Sequence, residues 1–356
     1  MKRLLTAISV LLFTATSAMA DFTIYAGTKP GSGFDQWMQP VLKELRKHLD
    51  ENITVKYMPG ARGRTMLNKW EKELRFNDPD GLAVSGGTQG SNWLYINKIE
   101  YDFENYDAVG IQLMDIMVGK RKSWNPKTDD LTWGNESGLG DTMGSIMMYC
   151  GNLDGKIESY KKCTDERLNL VKGMKDGPAT MAYMRGEMDI FRGNPTAWAK
   201  KMSKIKDGEL WFTQGVYDRS TGKAGDNPNH PGMHFDAVFE RTWGEAPKGE
   251  MYDAYRLAQT FNDALQKSIW IQKDNPKKAI IVDALRKMLA DPESQAALKK
   301  VNGGSEYDWA IAEEGDAVVK QIKTLSTEQA LKDTVWIIKA VFDYDVVYNP
   351  DRVSKK

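Results

Sequence analysis

Four glycine-rich segments are the residues of this sequence best placed for chemistry, and the chemistry they suit is the capture of an anion. They are Gly27-Thr28-Lys29-Pro30-Gly31-Ser32-Gly33, Pro59-Gly60-Ala61-Arg62-Gly63, Ser85-Gly86-Gly87-Thr88-Gln89-Gly90 and Gly134-Asn135-Glu136-Ser137-Gly138-Leu139-Gly140. Loops of this kind present backbone amides beside helix N-termini, where unpaired N–H donors and the helix dipole favour a carboxylate or phosphate. A single such loop is equally well explained as a tight strand-to-helix turn. Four in one chain shift the balance toward binding. Phosphate-loop chemistry is absent, because no Gly-Lys-Ser or Gly-Lys-Thr follows a glycine loop, and Gly31-Ser32-Gly33 does not continue as a dinucleotide fingerprint.

Catalytic groupings are weaker. His230 and His234 have a four-residue spacing, but Pro231 and Gly232 lie between them and oppose the helix that would bring both rings to one metal. No serine sits in a Gly-x-Ser-x-Gly elbow. Acidic pairs such as Asp129-Asp130 and Glu313-Glu314 are adjacent in sequence, the pattern of a solvated face. The expectation is therefore a protein that is not an enzyme, with no metal and no cofactor.

The elements that must position the loops follow from periodicity. Phe22 to Tyr25 reads as a strand, and Trp37, Met38, Val41, Leu42, Leu45 and Leu49 recur at helical spacing after the first loop. Ser32 and Asp35 resemble a capping box at that helix start. The order repeats with a strand at Ile53 to Tyr57 and a helix face at Met66, Leu67, Trp70 and Leu74, then with a strand at Leu82 to Val84. Alternating strands and helices imply a parallel sheet with its loops gathered at the strand C-terminal ends. A second series starts near Leu131 and runs through Leu168 to Val171, Met188 to Phe191 and Leu210 to Thr213, and the chain from Gly249 onward reads as mostly helical.

The N-terminus reads Lys2-Arg3, an apolar run from Leu4 to Phe13, then small residues to Ala18-Met19-Ala20, the layout of a secretory signal over residues 1–20. The chain has 356 residues, with 49 basic and 49 acidic side chains; loss of Lys2 and Arg3 leaves 47 against 49, a net charge of −2. That balance excludes a nucleic-acid partner, since no basic excess displaces counterions. The mature chain is expected to be periplasmic. Cys150 and Cys163 are the only cysteines, and in an oxidising compartment their expected state is a disulfide, stabilising by roughly 3 kcal/mol on the chain-entropy model. The 336 residues left after the signal exceed one ordinary core, which points to two domains.

In order and spacing the motifs resemble those of the extracytoplasmic solute-binding receptors of tripartite tricarboxylate transporters. Pro30-Gly31-Ser32-Gly33-Phe34-Asp35 is similar to that family's first loop, Pro59-Gly60-Ala61-Arg62-Gly63 to its second, and Asp78-Pro79-Asp80-Gly81 to the turn that follows. Gly177-Pro178-Ala179, Gly186-Glu187-Met188-Asp189, Trp243-Gly244 with Ala246-Pro247, and Ala290-Asp291-Pro292-Glu293 continue the likeness over most of residues 21–320. Arg62 and Arg64 depart from it, standing where the family has glycine and a small or polar residue; a guanidinium there either joins the anion site or points into solvent. The segment Gly151 to Thr164, residues Ile269 to Lys278 and the tail after Ser326 are additions.

The resemblance implies an α/β fold of the two-domain periplasmic binding protein kind, type II-like. Each domain would be a mainly parallel sheet flanked by helices, with the ligand in the cleft between them. It implies one domain at 21–120 plus 245–325, a second at 121–244 and a C-terminal helical extension at 326–356. One wall of the site would be Ser32, Gly33, Phe34, Asp35, Gly60, Ala61, Arg62, Gly87, Thr88 and Gln89. The other would be Asn135, Ser137, Gly138, Asp189, Arg192 and Asn194. The function implied is capture of an organic anion, a carboxylate, by a monomer that delivers it to membrane permease subunits. The alternatives are a receptor of another transporter class, the TRAP-like dicarboxylate type with one binding arginine, for which Arg192 is the candidate, and a periplasmic hydrolase or lyase.

Overall fold

A computed structural model describes residues 22–354, apart from 96–97, 135–138, 172–173, 175 and 202–203; for 139–141 and 176 it describes the backbone alone. The proposed signal at residues 1–20 lies outside the described residues.

The three parallel strands of the first half form as expected: β1 (Phe22–Ala26), β2 (Ile53–Tyr57) and β3 (Leu82–Gly86) pair in parallel, with β1 between the other two. β1 is buried along its whole length, as its continuous apolar run requires, while β2 alternates buried and open at the sheet edge. Three strands that sequence periodicity does not resolve complete this sheet: β4 (Tyr106–Gln112), β12 (Lys267–Gln272) and β13 (Trp309–Ile311), in the order β13-β4-β12-β3-β1-β2.

The expectation of a mainly parallel sheet is corrected here. β12 is antiparallel to both β3 and β4, and β13 is antiparallel to β4. The reason lies in the route of the chain. Helix Glu250–Ala264 delivers β12 beside Gly86 and Gln112, the ends of β3 and β4, so the strand can enter only in the reverse direction.

The second sheet places β5 (Met117–Arg121) between β8 (Ile190–Gly193) and β9 (Gly208–Thr213), antiparallel to each. β6 (Leu131–Trp133) pairs in parallel with β7 (Leu168–Leu170), and β10 (Val216–Asp218) forms a hairpin with β11 (Lys223–Gly225). Asp189 joins β6 to the second sheet: its amide donates to the Thr132 carbonyl at 3.0 Å and its Oδ2 accepts the Thr132 amide at 2.7 Å.

Each face of the main sheet is covered. Phe22, Ile24, Val84, Ile269 and Ile271 pack against helices Gly33–Leu45 and Lys278–Ala290. Tyr25, Ala83 and Trp270 belong to a larger core with Trp70, Trp93 and Phe103, which continues through Tyr255 and Phe261 of helix Glu250–Ala264 to Met147 and Phe235. That helix is buried on most of its circumference. Helix Glu328–Phe342 belongs to the same core through Leu331 and Ile338, and Arg352 docks the tail by lying 4.4 Å above the Trp93 ring and pairing with Asp102 at 2.8 Å.

The segments that follow β1, β2 and β3 touch one another. A Cβ on Gly27 would lie 2.6 Å from the Gly63 backbone, and one on Gly63, where φ is +89°, would lie 2.6 Å from Gln89 Nε2. Cys150 and Cys163 form the expected disulfide, with Cα atoms 6.2 Å apart, between helices Leu139–Cys150 and Ile157–Arg167.

Two outcomes follow. Gly27→Ala is expected to lower stability by about 1–3 kcal/mol through overpacking and to weaken ligand binding with it, because the loops must separate; urea melts and binding titrations on one preparation check both. Cys150→Ser with Cys163→Ser is expected to lower stability by about 2–4 kcal/mol while leaving ligand affinity unchanged, since the bridge lies away from the loops.

Candidate functional site

Helix Gly33–Leu45 is capped by Ser32, whose Oγ accepts the Asp35 amide at 3.3 Å. The Gly33 and Phe34 amides open this helix and have no carbonyl acceptor inside it. Asp35 takes a different role from ligand contact: its Oδ2 accepts the Gly31 amide at 2.7 Å and its Oδ1 accepts the Tyr57 hydroxyl at 2.6 Å. Its carboxylate thereby ties the first loop to β2, and it does not line the cavity described below.

In the second loop Ala61, Arg62 and Gly63 have φ of +42°, +56° and +89°. The first two are conformations that L side chains adopt at a cost of about 1 kcal/mol each. The turn aims Arg62 at the cavity rim, while Gly60 and Ala61 lie outside the lining. The third glycine segment is not a loop: β3 runs directly into the short helix Gly87–Asn92. Gln89 ties this helix to the second loop, its Oε1 accepting the Gly86 amide at 2.6 Å and its Nε2 donating to the Arg62 carbonyl.

These residues border a cavity of about 540 Å³. Ser32, Gly33, Phe34, Arg62, Gly87, Thr88 and Gln89 line it from the first half of the chain. Arg192, at the end of β8, and Asn194 line it from the other side; Asn194 also caps helix Pro195–Lys200 by accepting the Ala197 amide at 2.9 Å. Asp189 stays out of the lining, occupied with Thr132, and burial raises its pKa. Asn135, Ser137 and Gly138 lie outside the described residues. Across the mouth Lys200 Nζ donates to Gln36 Oε1 at 3.2 Å, so the two sides touch.

Sequence reasoning missed several lining residues, Lys200, Lys201, Thr196, Gln266 and Lys267 among them, and Lys267 is the most deeply buried of the cavity's charges. It opens β12, is only 3% exposed, and sits 4.4 Å from the Phe34 ring centroid and 5.5 Å from that of Trp37. Its neighbour across the ladder, Gln112, already accepts the Trp37 Nε1 hydrogen at 2.7 Å. Burial, and then the positive field of Arg192, pull the Lys267 pKa down to about 7. No local pattern betrays this lysine, because a charged residue opening a short strand reads as solvent-facing.

Two further polar atoms aim at unmet needs. Gln266 Nε2 and Thr196 Oγ1 are buried without a partner, on residues that line the cavity from opposite sides. Such atoms cost roughly 1–3 kcal/mol each when left unsatisfied. Among the described lining residues the charged ones are Arg62, Arg192, Lys200, Lys201 and Lys267; no aspartate or glutamate is present. Phe34, Trp133 and Phe191 supply apolar surface between them. The volume falls in the range of small-molecule sites, and the charge suits an anion with a carbon skeleton.

His230 and His234 lie in a turn and at the cap of helix Phe235–Trp243, and among the described residues no cluster of three metal-ligating side chains occurs. No described helix is long and apolar enough to cross a membrane.

No protein-family model matches the sequence, and no curated protein matches it. Solved structures do. The periplasmic binding protein BugD aligns over 90% of this chain and 97% of its own, at 14% identity and a TM-score of 0.53. MatC of Rhodopseudomonas palustris with bound malate aligns over 90% and 98%, at 14% identity and a TM-score of 0.53. Rpa4515 of R. palustris with adipate aligns over 90% and 97%, at 11% identity and a TM-score of 0.55. Similarity over nearly the full length at such low identity establishes architecture, and the chain has the two-domain α/β fold of the periplasmic binding proteins.

Proposed function

We propose that the chain is an exported receptor of the tripartite tricarboxylate transporter type, capturing a small organic acid between its two halves and presenting it to membrane permease subunits. The observation that carries this reading is the charge of the cavity: five basic and no acidic residues among those described in its lining, in a chain whose acids and bases are equal in number. Malate and adipate, held by two proteins of the same fold, are carboxylates, the chemical class proposed here.

In this reading residues 1–20 are a cleaved signal and the periplasm is the destination. Residues 21–120 with 245–325 form the first domain, 121–244 the second and 326–356 an extension. The Gly33 and Phe34 amides take a carboxylate at the N-terminus of a helix long enough to carry a useful dipole. Asn135, Ser137 and Gly138 complete the second wall. No bond is made or broken: the acid lowers the free energy of the closed form relative to the open one, and permease subunits read that difference.

A second reading is favoured by one observation, the position of Arg192 in the lining. There a single salt bridge from the second half, as in TRAP-like receptors, dominates binding. Arg192→Ala separates the two readings: an ordinary charged hydrogen bond is worth about 1.5–3 kcal/mol, so a loss of roughly 10- to 100-fold supports shared recognition, and abolition of binding supports the second reading.

Thermal-shift measurements against mono-, di- and tricarboxylates, aromatic acids and sulfonates test the function. At least one acid is expected to stabilise the protein, by about 2.7 kcal/mol at a hundred times its dissociation constant, and to be recovered unchanged. Recovery of an altered compound would reopen the hydrolase or lyase alternative, and no stabilisation by any acid would overturn the receptor reading.

A further inference from the structure

We propose that Lys267 is the floor of the anion site and that a ligand carboxylate seated on it, with Arg192 on its other side, bridges the two halves of the chain. The inference rests on the receptor reading and deepens it, by assigning the group that distinguishes this pocket from one built of backbone amides alone.

The geometry is specific. Lys267 belongs to the main sheet and Arg192 to the second sheet, and both line the same cavity. The cation is enclosed by the faces of Phe34 and Trp37, which accept positive charge through their quadrupoles but do not neutralise it. A lysine 3% exposed ordinarily has a carboxylate partner.

The neighbouring acids are engaged elsewhere. On helix Gly33–Leu45, Asp35 holds Gly31 and Tyr57. On helix Glu250–Ala264, Asp263 accepts from Asn262 Nδ2 at 3.1 Å. In the segment between β4 and β5, Asp115 accepts from Asn227 at 2.8 Å and from the Gly215 amide at 3.0 Å. β3 and β4 bring uncharged Gly86 and Gln112 alongside. The second half contributes Arg192, Lys200 and Lys201, all positive. Of these charges, Arg192 is the one whose field perturbs Lys267. Among the described residues no carboxylate pairs with Lys267, and an anion from outside fills that place.

Two consequences follow. With the site empty, Lys267 and Arg192 repel across the cleft, and an anion between them replaces that repulsion with two attractions. Occupancy and closure are thereby coupled by charge. The lowered Lys267 pKa adds a proton to the balance: the empty site holds a largely neutral amine above about pH 7, and the ligand carboxylate raises the pKa again, so the amine takes a proton from solvent as the acid binds. Affinity should be flat between pH 5.5 and 6.5 and then fall, by up to about tenfold per pH unit between 7 and 9.

The test uses the full mature chain with malate and adipate as probes, in cationic buffers that do not compete for the site. Wild type, Lys267→Met and Lys267→Arg are titrated calorimetrically at pH 6 and pH 8.5, in two buffers of different ionisation enthalpy. The expected result has three parts: wild type loses at least about tenfold in affinity at the higher pH and takes up protons there, Lys267→Met binds at least about tenfold more weakly at pH 6 with no pH dependence, and Lys267→Arg keeps affinity at pH 8.5. A melting temperature of unliganded Lys267→Met equal to or above that of wild type shows that the variant folds.

Equal binding by wild type and Lys267→Met, or a wild-type affinity that does not change with pH, would overturn this proposal and leave the receptor reading intact. Failure of wild type to bind any acid of the wider panel would overturn both.

Discussion

Five cations around one cavity without a carboxylate among the described lining residues is an arrangement that a folded chain sustains only against a cost. Like charges in a partly dry space repel, and a buried ammonium without a counter-ion is pushed toward its neutral form. The rest of the structure is organised so that this imbalance persists where an anion can relieve it. Asp35, Asp189 and Asp263 stay out of the cavity lining, and each accepts from backbone or side-chain donors. Fixed donors leave the positive charge available.

Rigidity of the surrounding backbone is the second requirement. Two loops and one helix start, each following a parallel strand, could splay independently, yet contact between Gly27 and Gly63, and the two hydrogen bonds of Gln89, make them one unit. The left-handed turn at Ala61 and Arg62 stores strain in the same place, as is common where a site needs a backbone direction that ordinary turns do not supply. Helix Glu250–Ala264 is the structural counterpart on the other side. It is shared by the cores of both halves and ends where β12 begins, so the position of Lys267 is set by the packing of the whole molecule rather than by its own strand.

How much of this was legible in the sequence depends on whether the signal is local. Strands β1 to β3, the cap at Ser32 and the cysteine pair are encoded within a few residues of themselves, and they stand where spacing put them. Ser32, Gly33, Phe34, Gly87, Thr88 and Gln89 reach the cavity because they belong to those local units. β12 is the opposite case. Its six residues, Lys-Ser-Ile-Trp-Ile-Gln, lie between two long helices and are buried on both faces, so no alternation separates them from helix. Its antiparallel insertion, and with it Lys267, follows from the path of a chain that leaves the first sheet and returns some 150 residues later. The double role open to Asp35 also needed coordinates, since only the Gly31 and Tyr57 contacts show which way the carboxylate turns.

The claim on which the account turns is that the cavity recognises negative charge rather than shape. Comparing each acid of a graded series with its uncharged amide, by thermal shift on the same preparation, tests that claim most directly. The account expects acids of suitable length to raise the melting temperature and their amides to leave it unchanged. Equal stabilisation by an acid and its amide would contradict it.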